Sequence, residues 1–475
     1  MGDQEARGAM RAERHSARGR GQGLVAVAFL VVVVSGGFAL DRGLGPHLAS
    51  PAAAVAAGSG AWFCPHGGGP EAWKATLYLA NPSVVDVTAR ITSLSARRPA
   101  APFDVDVPAQ TTTALEVPAI GREASTFVEY FGGWIAAGWV TQGGGGEIGV
   151  GAEPCAPDAG RRWFSPDGTT EKGEDAYIVV MNPFAEDAVF DVVLLTPKRA
   201  PIRASALSDV VLHPGKSVAF RANAFAEGEP AVGAEVDVSL GRVAVSSLGL
   251  SREAGIRSVI GLTDVAPQAF LPAGAGSGQS TLVLMVPGEG QVSFGATLLS
   301  ADPPAPAGGL TEAAQNPTSA QPYPVNTAGA SSIDVVSQGS VPFAAIQHAI
   351  GVGNDDAATG GAVQPGSDWV VLPAIAGEPS HPGLVIVNPG NTAVTVTLHA
   401  LAPEGATPPP DITLVVPAGG SVRTAPADFL DEDHRSAIEV RAEGGDVIAM
   451  AASTSLGNGG LSTYALSMGV ALVEG

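Results

Sequence analysis

Two nearly identical strings, "WFCPHGGG" at residues 62–69 and "WFSPDGTT" at residues 163–170, lie 101 positions apart. Nineteen residues after each tryptophan comes an Asn-Pro pair that ends an apolar run, and a third copy has the same spacing. The three pairs are Trp62 with Asn81, Trp163 with Asn182, and Trp369 with Asn388. Proline cannot donate a ladder hydrogen bond and asparagine favours turns, so Asn-Pro is suited to ending a strand. The repeated string is therefore predicted to be a signature of a repeated fold rather than a repeated site.

A fourth, degenerate copy lies at residues 270–288, where Val286-Pro287 replaces Asn-Pro. Each copy continues with a strand of period-two alternation, a predicted hairpin at a proline, and a predicted hairpin at a glycine, such as "FVEYFGGWIAAG" at 127–138. Short strands at this density are typical of a β-sandwich. We therefore expect an all-β fold, a tandem array of four immunoglobulin-like β-sandwich modules after one N-terminal transmembrane helix. A two-layer unit of another topology fits almost as well.

The N-terminal region predicts a membrane anchor. Residues 21–40 carry no charge and follow a basic segment, which indicates a transmembrane helix with the rest of the chain exported. A cleaved signal peptide is the alternative, and it also implies export. We expect a single-pass protein of the cell membrane whose C-terminal ectodomain lies outside the cytoplasm. The predicted segments are a basic cytoplasmic tail (1–20), the anchor (21–40), a linker (41–60) and modules at 61–158, 159–266, 267–366 and 367–475.

The charge of the chain excludes one class of function. It has 46 acidic and 25 basic residues, a net charge of −21. Nucleic-acid binding requires clusters of Lys and Arg, so we expect no nucleic-acid partner.

The two cysteines of the chain, Cys64 and Cys155, fall near the two ends of the first module. Both lie in the part predicted to be exported, where disulfides persist. Zinc binding would need more ligands at short spacing, and a redox pair would show Cys-x-x-Cys. A structural disulfide is therefore predicted, and Ser165 takes the equivalent of the Cys64 position in the second module.

No constellation of catalytic residues is evident. "GKS" at 215–217 lacks the first glycine of a P-loop, and "GGGEIG" at 144–149 is not followed by a helical pattern. The acidic segments 353–361 and 431–435 lack the alternation of a calcium loop and are predicted to be solvated. We expect no enzymatic activity, no catalytic or metal-binding residues and no cofactor.

The first module is distinguished by aromatic residues around its glycine turn. Tyr130, Phe131, Trp134 and Trp139 replace the small or polar residues of the other copies. Exposed aromatic clusters often mark binding surfaces, and flat rings suit stacking on sugars or packing on a protein. These four residues are the candidate binding surface. The alternative is that they fill the core of the first module or pack against the second.

The chain resembles an uncharacterised family of actinobacterial membrane-anchored envelope proteins. The resemblance rests on the basic-then-apolar N-terminus, on residues 62–65 ("WFCP"), on "EPCAP" around Cys155, on "WFSPDGTT", and on residues 175–195. It implies an extracytoplasmic β-rich protein associated with surface polysaccharide, and it implies no catalytic residues.

The expected function is a non-enzymatic binding or scaffold role at the bacterial cell envelope, with cell-wall polysaccharide or a membrane protein assembly as partner. An accessory subunit of an envelope glycosyl-transferring or wall-modifying enzyme complex is the alternative.

Overall fold

Apolar residues alternate with polar ones along short segments, and these segments form antiparallel sheets in which one strand order recurs. The computed structural model describes residues 58–472 except 98–99, 254, 274–278, 301–302, 309, 352–354, 375–379, 382, 426–435 and 457–461. Within that part the chain forms eight sheets and three short 3₁₀ turns, and no helix is long and apolar enough to cross a membrane. The predicted anchor at 21–40, most of the predicted linker and the acidic segment 431–435 lie outside the described residues.

The first repeat has two four-stranded sheets. Its strands are β1 Ser59–Cys64, β2 Lys74–Asn81, β3 Val87–Leu94, β4 Phe103–Val107, β5 Thr111–Val117, β6 Ser125–Phe131, β7 Ala136–Gln142 and β8 Val150–Pro154. One sheet has the order β1-β6-β3-β4 and the other has the order β5-β2-β7-β8. Neighbouring strands are antiparallel throughout. The first repeat is therefore a β-sandwich-like unit with one sheet on each side of a shared core.

The second repeat has the same order in its two sheets, β9-β14-β11-β12 and β13-β10-β15-β16. Its strands are β9 Arg162–Ser165, β10 Glu174–Asn182, β11 Ala188–Leu195, β12 Val210–Leu212, β13 Lys216–Arg221, β14 Gly233–Leu240, β15 Ala244–Ser251 and β16 Gly255–Ile260. Two 3₁₀ turns, Ser205–Leu207 and Ala222–Ala224, lie within its connections.

The third and fourth repeats keep this order with additions at the edges. The third contains β17 Gln268–Pro272, β18 Gln279–Val286, β19 Val292–Leu299, β20 Ala305–Pro306, β21 Ala313–Gln315, β22 Ser319–Asn326, β23 Ser332–Ser337, the 3₁₀ turn Gln338–Ser340, β24 Ala344–Ile350 and β25 Asp356–Gly360. The fourth contains β26 Asp368–Val371, β27 Ser380–His381, β28 Leu384–Asn388, β29 Val394–Leu401, β30 Ile412–Val416, β31 Gly420–Thr424, β32 Ala437–Glu443, β33 Ile448–Leu456, β34 Ser462–Met468 and β35 Val470–Ala471. Strands β21, β27 and β35 are the added ones.

Both predicted hairpins are wrong. The strands before and after the proline turn, β4 and β5, belong to different sheets, and so do β6 and β7 on either side of the glycine turn. These turns are arches that carry the chain across the sandwich from one sheet to the other. The hairpins of the first repeat are β3–β4 and β7–β8. Period-two alternation reveals a strand but not its partner, because a strand buries one face whichever neighbour it pairs with.

The Asn-Pro signature has the same structural role in three repeats. The buried Asn81 side chain donates to the carbonyl oxygens of Val85 at 2.8 Å and Val107 at 3.0 Å, and its own oxygen accepts from the Ser83 amide at 3.0 Å. Asn182 and Asn388 make the corresponding three hydrogen bonds. Asn81 ends β2 in one sheet and Val107 ends β4 in the other. The asparagine thus closes the arch and connects the two sheets.

The repeated tryptophan also has one role. Its indole nitrogen donates to the carbonyl oxygen of the residue immediately before the seventh strand, at 2.8–2.9 Å in each case. The three pairs are Trp62 with Ile135, Trp163 with Val243, and Trp369 with Val447. A buried indole requires such an acceptor, so the tryptophan fixes the first strand against the arch between the sixth and seventh strands.

The repeats close on one another, an arrangement on which the sequence made no prediction. The Ser217 amide donates to the Ser95 carbonyl between repeats 2 and 1, at 3.2 Å, and Ser421 donates to Ser300 between repeats 4 and 3, at 3.0 Å. The equivalent bond from Thr112 to Ala402, at 3.2 Å, joins repeat 1 to repeat 4. The last repeat therefore contacts the first through the same type of contact that joins neighbours.

Four equivalent strands line the axis of this closed arrangement. Strand β8 packs against β16 and β34, and β25 packs against the same two strands. Small residues permit the close approach: a Cβ on Gly151 of β8 would lie 2.9 Å from the Cβ of Ser258 in β16. We call these four the axial strands. All described residues belong to one compact unit, Ala57–Val473.

Candidate functional site

A large opening in the described part of the chain lies at the ends of three of the axial strands. It is a cavity of about 740 Å³, and residues of all four repeats line it. Its floor includes Pro154 at the end of β8, Gly361 just after β25, and Met468 at the end of β34. We call it the axial cavity.

Aromatic side chains form much of the wall of the axial cavity: Trp62, Phe63, Tyr130, Trp134, Phe184 and Trp369. Trp62 and Trp134 meet edge to face with their ring centroids 6.1 Å apart. Trp134 is partly exposed, whereas Tyr130 is only 6% exposed. The Tyr130 ring packs on β1, where a Cβ on Gly60 would lie 2.2 Å from its hydroxyl oxygen. Trp134 and Phe184 are thus the partly exposed rings of the wall, and the other four aromatic side chains are buried.

The four residues of the candidate binding surface do not lie together. Tyr130 and Trp134, on either side of the arch between β6 and β7, both line the axial cavity. Phe131 is 43% exposed and does not line it. Trp139 is 1% exposed, and its indole donates to the Ser258 hydroxyl at 3.2 Å across the junction with repeat 2. Trp139 therefore packs against the second module, which was the alternative considered from the sequence.

Charged groups of the axial cavity stand at its rim. Asp158 and Asp264 are exposed, and neither forms an ion pair within the described part of the chain. The exposed Arg242 places its guanidinium 4.6 Å from the centroid of the Phe184 ring. These groups were missed in the sequence because they come from three separate connections, Asp158 between β8 and β9, Arg242 between β14 and β15, and Asp264 between β16 and β17.

A buried carboxyl lies beneath the floor of the axial cavity. Glu153 precedes Pro154 in β8, is 2% exposed, and neither of its carboxyl oxygens makes a hydrogen bond of standard geometry. Burial raises the pKa of Glu153 well above its usual value, against the opposing effect of the Thr359 hydroxyl and the backbone amides of Met468 and Gly360. Residues of repeats 3 and 4 therefore surround this one acid of repeat 1.

The disulfide between Cys64 and Cys155 is formed, as predicted, with the two Cα atoms 4.6 Å apart. Cys155 lines the axial cavity, and the backbones of Phe63 and Ala156 exchange two hydrogen bonds of 2.9 and 2.8 Å beside it. Equivalent exchanges join Phe164 to Leu262 and Phe270 to Ala362 in repeats that lack cysteine. The disulfide thus reinforces a contact that the fold already makes.

A second set of polar residues lies at the junction of repeats 2 and 3. Asp167, from the string "WFSPDGTT", forms an ion pair with His348, with Oδ1 and Nε2 2.8 Å apart, and the Arg257 guanidinium donates to Asp356 at 2.6 Å. Burial opposes the charge of His348, but Asp167 and Asp356 together outweigh it and raise the His348 pKa to about 9. Burial likewise opposes the charge of Asp167, and His348 and Arg257 lower the Asp167 pKa to about 2.

This junction corrects one sequence interpretation. Segment 353–361 was expected to be a solvated acidic loop, but Asp355 and Asp356 are each 8% exposed. The Asp356 carboxylate accepts a hydrogen bond from the Arg257 guanidinium, and Asp355 accepts one from the backbone amide of Tyr464 in repeat 4 at 2.7 Å. Burial is the main cause that raises the Asp355 pKa to about 7. Charged side chains are buried when partners from elsewhere in the chain meet them, and local sequence does not reveal those partners.

One comparison with known proteins gives a match. A family model described as "Family of unknown function (DUF5719)" matches residues 132–379, just over half of the chain. Comparison with curated proteins finds no match.

Proposed function

We propose that this chain, which belongs to the family of unknown function DUF5719, is a non-enzymatic binding protein of the bacterial cell envelope that takes part of a cell-wall glycan into the axial cavity. The observation that carries the proposal is the position and lining of that cavity. It lies where all four repeats meet, and its walls are aromatic. Ligand sites are typically concave, largely apolar and about 300–1,000 Å³ in volume.

The chemistry of the lining favours a saccharide. The partly exposed Trp134 ring can offer a flat face to the C–H face of a sugar, and its edge-to-face contact with the buried Trp62 holds it in place before a ligand arrives. The unpaired carboxylates Asp158 and Asp264 can accept hydrogen bonds from sugar hydroxyls. A ligand that combines flat apolar faces with many hydroxyl donors matches both properties.

The proposed location follows from the N-terminal sequence and the disulfide. Residues 21–40 would span the membrane, with the repeats outside the cytoplasm as a single-pass ectodomain. The Cys64–Cys155 disulfide is in keeping with an oxidising compartment. The chain enters β1 at Ser59, which lines the axial cavity.

We further propose that the four repeats are immunoglobulin-like modules. Pairing of the second strand with the fifth and of the third with the sixth, as in β2–β5 and β3–β6, is shared with the immunoglobulin order. The edges differ, because β1 pairs with β6 and β7 pairs with β2. The relation therefore rests on the central strands.

Co-sedimentation with purified cell-wall polysaccharide tests the proposal. The full-length protein should sediment with the polysaccharide, and Trp134→Ala should abolish or strongly reduce this. Phe131→Ala is the matched control, since it removes an aromatic ring three residues away that does not line the axial cavity. Loss of binding in Phe131→Ala alone would assign the site to the outer surface of the arch. Failure of the unmodified protein to sediment would refute the glycan proposal.

A further inference from the structure

The charged side chains that line the axial cavity are mainly acidic. Its acidic groups are Asp158 and Asp264, and its one basic side chain is Arg242. The Arg242 guanidinium is directed at the Phe184 ring, an arrangement in which the ring face already attracts the cation. The two carboxylates, by contrast, have no cationic partner within the described part of the chain.

A cation is therefore favoured in the axial cavity over an anion. The lining carries two negative charges against one positive, and the whole chain carries a net charge of −21. Such a potential raises the local concentration of cations and repels phosphate- or uronate-bearing polymers.

The aromatic wall strengthens this preference. Trp faces are the best cation–π partners among side chains, and a cation held over them while a carboxylate is near benefits from both interactions. Trp134 is partly exposed, and Asp158 is close enough to Tyr130 to raise the pKa of that phenol, after burial, which is the larger cause. Aromatic faces and an unpaired carboxylate thus occur on the same wall.

We propose that the axial cavity recognises the amino group of an amino sugar, with Asp158 and Asp264 as its counter-charges. This inference rests on the proposed glycan-binding function and specifies the ligand. An N-acetylated sugar has the same ring and hydroxyls but no positive charge, so the two forms should bind with different affinity.

Two probes of equal length test the inference: a short glucosamine oligomer and the corresponding N-acetylglucosamine oligomer. Isothermal titration calorimetry with the full-length protein at low salt should show roughly tenfold tighter binding of the glucosamine oligomer, the sum of a cation–π contact and a partly exposed ion pair. The difference should shrink as salt is added.

Charge-neutralising variants locate the effect. Asp158→Asn and Asp264→Asn should each reduce the preference for the glucosamine oligomer, while Glu312→Gln, an exposed acid outside the axial cavity, should leave it unchanged. Both aspartates are exposed, so thermal unfolding should be unaffected. Equal affinity for the two oligomers, or an unchanged preference in both aspartate variants, would overturn the inference and leave the glycan-binding proposal standing. Binding of neither oligomer would also overturn it, and the polysaccharide co-sedimentation would then decide the broader proposal separately.

Discussion

Closure of the four repeats depends on a threonine whose removal can be assigned a magnitude. The Thr112 hydroxyl in β5 donates to the Leu401 carbonyl at 2.7 Å and accepts from the Ala437 amide at 3.0 Å. Thr112→Val keeps the shape of the side chain and removes both hydrogen bonds. Each is worth about 1 kcal/mol net, and a buried group left unsatisfied costs about 1–3 kcal/mol, so we expect a loss of about 2–4 kcal/mol.

Urea unfolding followed by tryptophan fluorescence measures this loss, and Thr113→Val provides the comparison. Thr113 is the next residue of the same strand and is only partly buried, so its replacement should change stability by under about 0.5 kcal/mol. Hydrogen exchange adds a test of location, because a linear array has contacts only between neighbours. In Thr112→Val, amide exchange should rise in both the first and the fourth repeat. Equal midpoints for the two variants, or faster exchange confined to the first repeat, would refute the closed arrangement.

Three further predictions concern the repeats and their junctions. Replacing Cys64 and Cys155 by alanine should lower the free energy of unfolding by about 4 kcal/mol, because the disulfide restricts the unfolded chain across a separation of 91 residues. An unchanged urea midpoint would contradict this. Asn182→Ala should cost about 3 kcal/mol, because three side-chain hydrogen bonds are lost, and a thermal shift below about 1 °C would show that the arch closes without them. His348 has a folded-state pKa of about 9, above the ordinary 6.5, so its stabilising pair with Asp167 should be complete below about pH 6.5 and lost as the pH rises through 9. The urea midpoint of His348→Gln should not show that pH dependence. If the midpoint of the variant changes with pH as much as that of the unmodified protein, the pH dependence does not come from His348.

The sequence revealed the features that each repeat needs for itself. The Trp and Asn-Pro signature is visible because each copy must satisfy a buried indole and close its own arch with residues fewer than about one hundred positions apart. The single disulfide was predictable for the same reason, since both cysteines belong to one repeat. Strand partners were not predictable, because alternation is the same for a hairpin and for an arch.

Contacts between repeats could not be read from the sequence. Thr112 and Leu401 lie 289 positions apart, and nothing near either residue indicates the other. Asp167 and His348 carry charges that sequence patterns assign to solvent, and their burial depends on their meeting. The axial cavity is a third case: Tyr130 and Trp134 were identified as unusual, but Asp158, Arg242 and Asp264 become relevant only when four repeats converge.

The third repeat takes part in the closed arrangement although it lacks the Trp and Asn-Pro signature of the other repeats. It has Ala269 where three repeats have tryptophan and Val286 where they have asparagine, so its signature is degenerate. Its contacts at the axis are nevertheless specific, because Thr359 and Gly361 contribute to the surroundings of Glu153 and to the floor of the axial cavity. The cavity lies at the ends of three axial strands, marked by Pro154, Gly361 and Met468, and connections of repeat 2 complete its lining. A substitution that weakens a junction between repeats should therefore reduce ligand affinity even when it alters no residue that lines the cavity. Ligand binding thus depends on the stability of the junctions.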